Sequence, residues 1–331
     1  MILIIDNNEF QHFVSYNVSL KYNSFAHAFS FLGLKKFLNN ILSYQTAQIY
    51  GINDELLITG TIVNSDNKIS DKPTLSSVSG YSTAGILEDC EMPIELYPLE
   101  TTGLSLLQVT DRILKKFGIK YLVDPAVAKS MNKKYDKLIA GESESIKNFL
   151  NKLAANRDIF ITSLPDGTLY FTKVSIKKLK PVFRFEEANS NIIDMSFPVD
   201  GQALHSSITV LRQASTDNPD SGQYTITNPF VSKYRPTIKI LQTGDIFDIK
   251  TSAKHMLSAE LAQLKLVINT NKFINVGQLI TVNAPSLGIK KDVNFFVEEC
   301  EIKGTNIGET YTLTAVMAMV YDIDNVYNIF A

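Results

Sequence analysis

GESESIKNFLNKLAANRDIFITSLPDGTLYFTKV, residues 141–174, changes its hydrophobic period halfway along, and that change decides the fold class. In the first half, Ile146, Phe149, Leu150, Leu153 and Ala154 fall on one stripe of a helix. Ser143 is read as the N-cap, with Glu144 suiting the positive end of the helix dipole. In the second half, Ile159–Ser163 and Thr168–Val174 are strands, separated by Pro165-Asp166-Gly167. Asp-Gly between apolar runs is a strong short-range hairpin signal, because both residues accept the backbone angles of a tight turn. A helix followed by a hairpin is therefore expected.

Moving towards the N-terminus, Leu106, Val109, Ile113, Leu114 and Phe117 mark another helix, with Gly118 placed for a left-handed C-terminal cap. Ile119–Pro125 reads as a strand closing at a turn. Earlier still the period is two. Val14, Tyr16, Val18, Leu20 and Tyr22 alternate with polar residues, and Phe25, His27, Phe29 and Phe31 alternate with small ones. Gly51, Asn53–Asp54, Gly60 and Asn64–Lys68 punctuate further short strands, including Leu56–Thr59 and Thr74–Ser79. On the C-terminal side, Lys177–Lys180 reads as a solvated connector. Strands are expected at Ser206–Arg212, Gln223–Thr227, Ile238–Leu241, Lys265–Asn269, Leu279–Asn283, Asn294–Ile302 and Glu309–Val320, with an exposed turn-rich loop at Ser215–Gly222. One helix interrupts them near 252–264, with Ser252 as its cap. The expected fold class is mainly β with an α/β insert. Two small antiparallel β-barrels, 1–92 and 179–331, flank a helix–strand–helix–hairpin domain at 93–178.

The length of 331 residues suits several domains, and 45% apolar with 20% charged residues is an ordinary globular balance. A net charge of −2 excludes a generally basic nucleic-acid binder, though nucleic acid can pass such a protein without sticking. Cys90 and Cys300 stand alone, far apart, and fit a reducing cytoplasm. The opening MILIID lacks the basic residues of a signal peptide, and no run approaches the length of a membrane-spanning helix.

A search for chemistry returns structure instead. His12, His27, His205 and His255 are scattered, with no paired metal-ligand spacing, so no metal and no cofactor is expected. His27 sits on an aromatic strand face, where a core role is the commoner one. No nucleophile elbow, phosphate loop or dinucleotide fingerprint occurs, and Gly80, Gly85 and Gly103 read as turn and close-packing residues. Glu88–Asp89 and Glu186–Glu187 are the carboxylates a glycosidase would need, but adjacent acids on loops are most often solvated surface. Tyr and Phe together number 33 with no Trp, which weighs against sugar platforms and towards core. No catalytic residue is assigned, and no interface residue is singled out.

Taken in order, several segments resemble the tail hub proteins of contractile-tailed phages such as Mu, relatives of the N-terminal part of type VI secretion spike proteins (the VgrG family). The resemblance rests on Ser76–Asp89 (SSVSGYSTAGILED), Gly103–Tyr121 (GLSLLQVTDRILKKFGIKY), Gly141–Val174, and Tyr234-Arg235-Pro236 followed by a helix, Val276–Pro285 (VGQLITVNAP) and Leu287–Ile289. Each motif is structural, and their order spans nearly the whole chain. The expected Trp after Val276 is absent, and Arg is scarcer than in the Mu-like proteins. The resemblance implies a non-enzymatic virion component made in the host cytoplasm. It implies a homotrimer adapting a sixfold tail tube protein to a threefold trimeric tail spike, bordered by baseplate wedge proteins, with DNA passing during ejection. Two other readings remain: a tail-associated cell-wall hydrolase, which a zymogram on purified cell wall would reveal, and a receptor- or glycan-binding virion module, which glycan binding would reveal.

Overall fold

The computed structural model describes every residue except 36–37, 39–40, 68–73, 97–101, 136–139, 142, 213–221, 242–248, 306 and 331. The loop expected at Ser215–Gly222 thus lies outside the described residues, apart from Gly222. The chain packs as two units. Met1–Lys173 with Glu301–Thr310 form the first, and Val174–Cys300 with Tyr311–Ala331 the second. Both are mainly β, and no helix among the described residues is long and apolar enough to cross a membrane.

The first unit opens with β1 (Ile2–Ile5), β2 (Asn8–Phe10), β3 (Ser15–Lys21), β4 (Ala28–Leu34), β5 (Thr46–Tyr50), β6 (Leu56–Asn67) and β7 (Leu75–Ser82). They pair antiparallel in the order β2-β1-β5-β6-β7-β4-β3. The opening MILIID is therefore an interior strand, with Leu3 and Ile5 buried. Gly60 does not end a strand as its residue type suggests; it lies inside β6, with β7 backbone pressed against it. The aromatic alternation from Phe25 is buried as expected, but the strand begins only at Ala28. Phe25 instead joins the core of the helical segment.

That segment comprises α1 (Ile86–Asp89), α2 (Leu106–Phe117), β8 (Tyr121–Val123), α3 (Pro125–Met131), α4 (Ile146–Ala155), β9 (Phe160–Ser163) and β10 (Leu169–Thr172). Strand β10 lies between β8, which is parallel to it, and β9, which is antiparallel. Ser105 and Gln108 form a capping box on α2, and Gly118 closes it at φ 65°, as its position predicts. Helix α4 differs by two residues at its start. Ser145, not Ser143, caps it, accepting from the Asn148 N–H at 3.3 Å. The Glu144 carboxylate instead accepts from Gly141 N–H at 2.8 Å, closing the turn before the helix. The turn expected at Pro125 is the start of α3: Asp124 accepts from Ala126 N–H at 2.8 Å and Pro125 takes the first helical position. The hairpin forms as read, with Leu164 N–H bonded to Thr168 C=O at 2.8 Å and Gly167 at φ 84°. Leu106, Ile113, Phe149, Leu150, Leu153 and Phe171 are fully buried together in one core.

The second unit contains β11 (Pro181–Glu186), β12 (Ile192–Ser196), β13 (Ser207–Arg212), β14 (Gly222–Thr227), β15 (Pro236–Ile240), α5 (Ile249–Leu261), β16 (Lys265–Thr270), β17 (Leu279–Ala284), β18 (Ile289–Thr305) and β19 (Glu309–Met317). The larger sheet runs β12-β16-β19-β18-β17-β11, antiparallel except for β17 with β11. Strands β18 and β19 contribute residues to both units. Strands β13, β14 and β15 do not join that sheet but form their own, in the order β14-β13-β15. The reason is α5, which packs on β13 and β14 and gives Ile208 and Val210 a helical core to face. Helix α5 starts at Ile249, so Ser252 is a buried residue inside it and not its cap.

Candidate functional site

The acidic pairs are each spoken for separately. Glu88 pairs with Lys147 at 2.9 Å, and Asp89 accepts from the Tyr81 hydroxyl at 2.8 Å. Glu186 pairs with Arg184 at 2.7 Å. Glu187 accepts from Ser286 N–H at 3.1 Å, and bonds to Ser286 hold its carboxyl below the usual range. Each of the four carboxylates thus has its own local partner. The histidines do not converge. His205 bonds Glu260 through both its N–H and its ring, His12 borders a surface cavity, and His27 is buried. Among the described residues no three His, Cys, Asp or Glu side chains are grouped to hold a metal. Cys300 is buried and Cys90 half-buried, and neither is in a disulfide.

His27 is a latch. Lys21 N–H donates to its Nδ1 at 3.2 Å, which fixes the proton on Nε2, and that nitrogen donates to Ser163 C=O at 3.0 Å. One ring thus ties the β3–β4 connection to strand β9 within the first unit. Burial pushes its pKa below the ordinary value of 6.5, with the Ser163 bond opposing the shift. The folded state therefore disfavours the charged ring, so its contribution to stability is complete above the unfolded pKa and is lost as pH falls. Denaturant midpoints of the protein are expected to fall between about pH 7 and about pH 5, with a shallower fall in His27→Gln. Equal slopes in the two proteins would remove the latch.

A cavity of about 500 Å³ opens beside His12, Phe13, Val14, Tyr16, Leu34 and Thr305. The Tyr16 hydroxyl donates to Glu309 at 2.7 Å, and burial, then Glu309, raises its pKa. An aromatic floor with a tied-down phenol offers packing and no activated nucleophile.

What remains conspicuous is where sheets end. Strand β2 is a short, mostly polar edge. In the second unit, edges β11, β12 and β15 carry exposed Val182, Ile193, Ile238 and Ile240. None of these was singled out from the sequence, because apolar alternation marks a strand and is silent on whether its far side is paired.

No protein-family model and no curated protein matches the chain. Solved structures do. The 43 kDa tail protein of prophage MuSo2 from Shewanella oneidensis superposes with a TM-score of 0.82, covering 97% of this chain and 98% of that one at 18% identity. The fold is that of Mu-like prophage tail proteins. The tail protein of Neisseria meningitidis MC58 gives 0.79, with 98% of both chains covered at 19% identity. The E. coli c3393 protein, a component of the type VI secretion system, gives 0.57 at 8% identity over 95% of this chain and 76% of its own. The tail-protein fold thus extends from one end of the chain to the other, as the resemblance in the sequence implied.

Proposed function

We propose that this chain is a structural, non-enzymatic baseplate hub of a phage contractile tail. The observation that carries the reading is the end-to-end likeness to two prophage tail proteins, each covered over 98% of its own length. In this reading 1–92 and 179–331 are two small barrels flanking the insert 93–178. Three copies then close a ring in which six similar barrels meet the tail tube protein, while the threefold axis meets a trimeric spike. Wedge proteins lie outside, and DNA passes through during ejection without specific binding. The protein works in the virion and is made in the host cytoplasm. Two features support the assembly. Exposed apolar residues on sheet edges favour association, since an unpaired edge invites a further strand. A net charge of −2 neither opposes association nor holds DNA.

Light scattering at high concentration and electron microscopy of the complex co-expressed with its spike test the reading. A threefold ring is expected. A stable dimer, or a ring of six equivalent copies, overturns it.

A further inference from the structure

The geometry points to the free edge of β15 as a strand-addition site that takes an extended, alternately acidic and apolar segment of another protein. This goes beyond the hub reading and does not depend on it.

The backbone comes first. Strand β15 pairs in parallel with β13, and no described strand pairs on its other side. Leu241 N–H donates to Leu211 C=O at 2.9 Å, which sets the phase of the ladder. In a strand, a residue's N–H and C=O project to the same side, and successive residues alternate. Thr237 and Lys239 therefore bond towards β13, while Ile238 and Ile240 direct their N–H and C=O groups to the open edge. A donor-acceptor ladder is thus presented without a partner among the described strands.

The side chains point the same way. Register places Thr237 and Lys239 on the face of Ile208 and Val210, which α5 covers. Ile238 and Ile240 lie on the opposite face, 63% and 58% exposed. Both edges of the larger sheet in this unit carry devices that blunt pairing. Strand β12 has a register shift between Ile192 and Asp194, and β11 places Arg184 in ion pairs with Glu186 and Asp292. Strand β15 has only Pro236 at its start.

Charge selects the occupant. Strands β13, β14 and β15 and the approach from Lys233 contain Arg212, Lys233, Arg235 and Lys239 but no Asp or Glu, in a chain with slightly more acids than bases. Lys233, Arg235 and Lys239 are exposed. An added strand with carboxylates opposite these cations and apolar residues beside Ile238 and Ile240 satisfies ladder, apolar face and charge together. A nucleic acid backbone would meet the charge but leave the amide ladder and both isoleucines unused.

The test mixes the full chain with a short capped peptide alternating glutamate and valine, and follows amide exchange residue by residue. The Ile238 and Ile240 amides should slow by about tenfold or more at saturation, with Thr237 and Lys239 unchanged because they already bond to β13. A peptide alternating lysine and valine should bind at least about tenfold more weakly. Ile240→Pro removes an outward N–H that β13 does not use, so the fold should persist and binding should be lost. Lys233→Glu with Lys239→Glu leaves the backbone intact and should reverse the peptide preference. Several results overturn the proposal: no protection at either isoleucine, equal binding of both peptides, protection by duplex DNA, or protection that rises with protein concentration alone, which would make the occupant a second copy.

Discussion

Phe149→Ala is expected to cost about 3–5 kcal/mol of folding stability, read from the urea midpoint of the first unit. Phe149 is fully buried on α4 and shares one core with Leu106, Ile113, Leu150, Leu153 and Phe171. These come from two helices and a strand, so no single element can move inward to fill the space a ring leaves. Lys116, exposed on α2, supplies the control: Lys116→Ala should stay within about 0.5 kcal/mol. A cost below about 1 kcal/mol for Phe149→Ala would mean that the helix does not hold this core together.

Gly80→Ala is expected to be of similar severity, about 3 kcal/mol or more, although it adds a single methyl group. A Cβ at Gly80 would stand 2.0 Å from Thr61 C=O and 2.7 Å from the Phe29 ring. Its counterpart on β6 is alike: a Cβ at Gly60 would stand 2.0 Å from Tyr81 C=O. Strands β6 and β7 are drawn against each other at these two points, beside the register shift between Ile62 and Asn64. Those oxygens belong to the backbone, so making room means parting the strands. A thermal melt of Gly80→Ala unchanged from the parent protein would show that β6 and β7 can separate there at little cost.

The segment from Leu106 to Thr172 was nearly all legible in the sequence because its signals are local. Helical stripes, Gly118 and Asp166–Gly167 each act within a few residues. The differences there are also local: two residues at the α4 cap, and α3, whose Asp124–Pro125 start reads as a turn. The β sheets were legible as strands but not as partners. Strands β1, β2, β5, β11 and β12 carry no comparably clear alternation between turn signals, and among the described strands β11 is held only by β17, far along the chain. Nothing in the Ser206–Leu241 pattern distinguishes a strand of the larger sheet from one of a separate sheet under α5. The edge residues Ile238 and Ile240 were legible as strand residues, and only pairing order makes them exposed ones.

The return of Glu301–Thr310 to the first unit has a bearing on biosynthesis. Asn17 Nδ2 donates to Glu301 at 2.8 Å, Tyr16 bonds Glu309, and the Tyr16 ring occupies the space a side chain at Gly304 would need. Everything between Lys173 and Glu301 belongs to the other unit and is translated first. At ~5–20 residues per second, the nascent first unit waits roughly ten seconds for the segment that seats Tyr16. During that interval the β3 side lacks these partners and is open to mispairing on crowded ribosomes. The architecture therefore ties completion of the β3 side to a stretch made only after Val174–Cys300 of the second unit, and chains that stop short of Glu301 should be recognised by chaperones and proteases as unfinished.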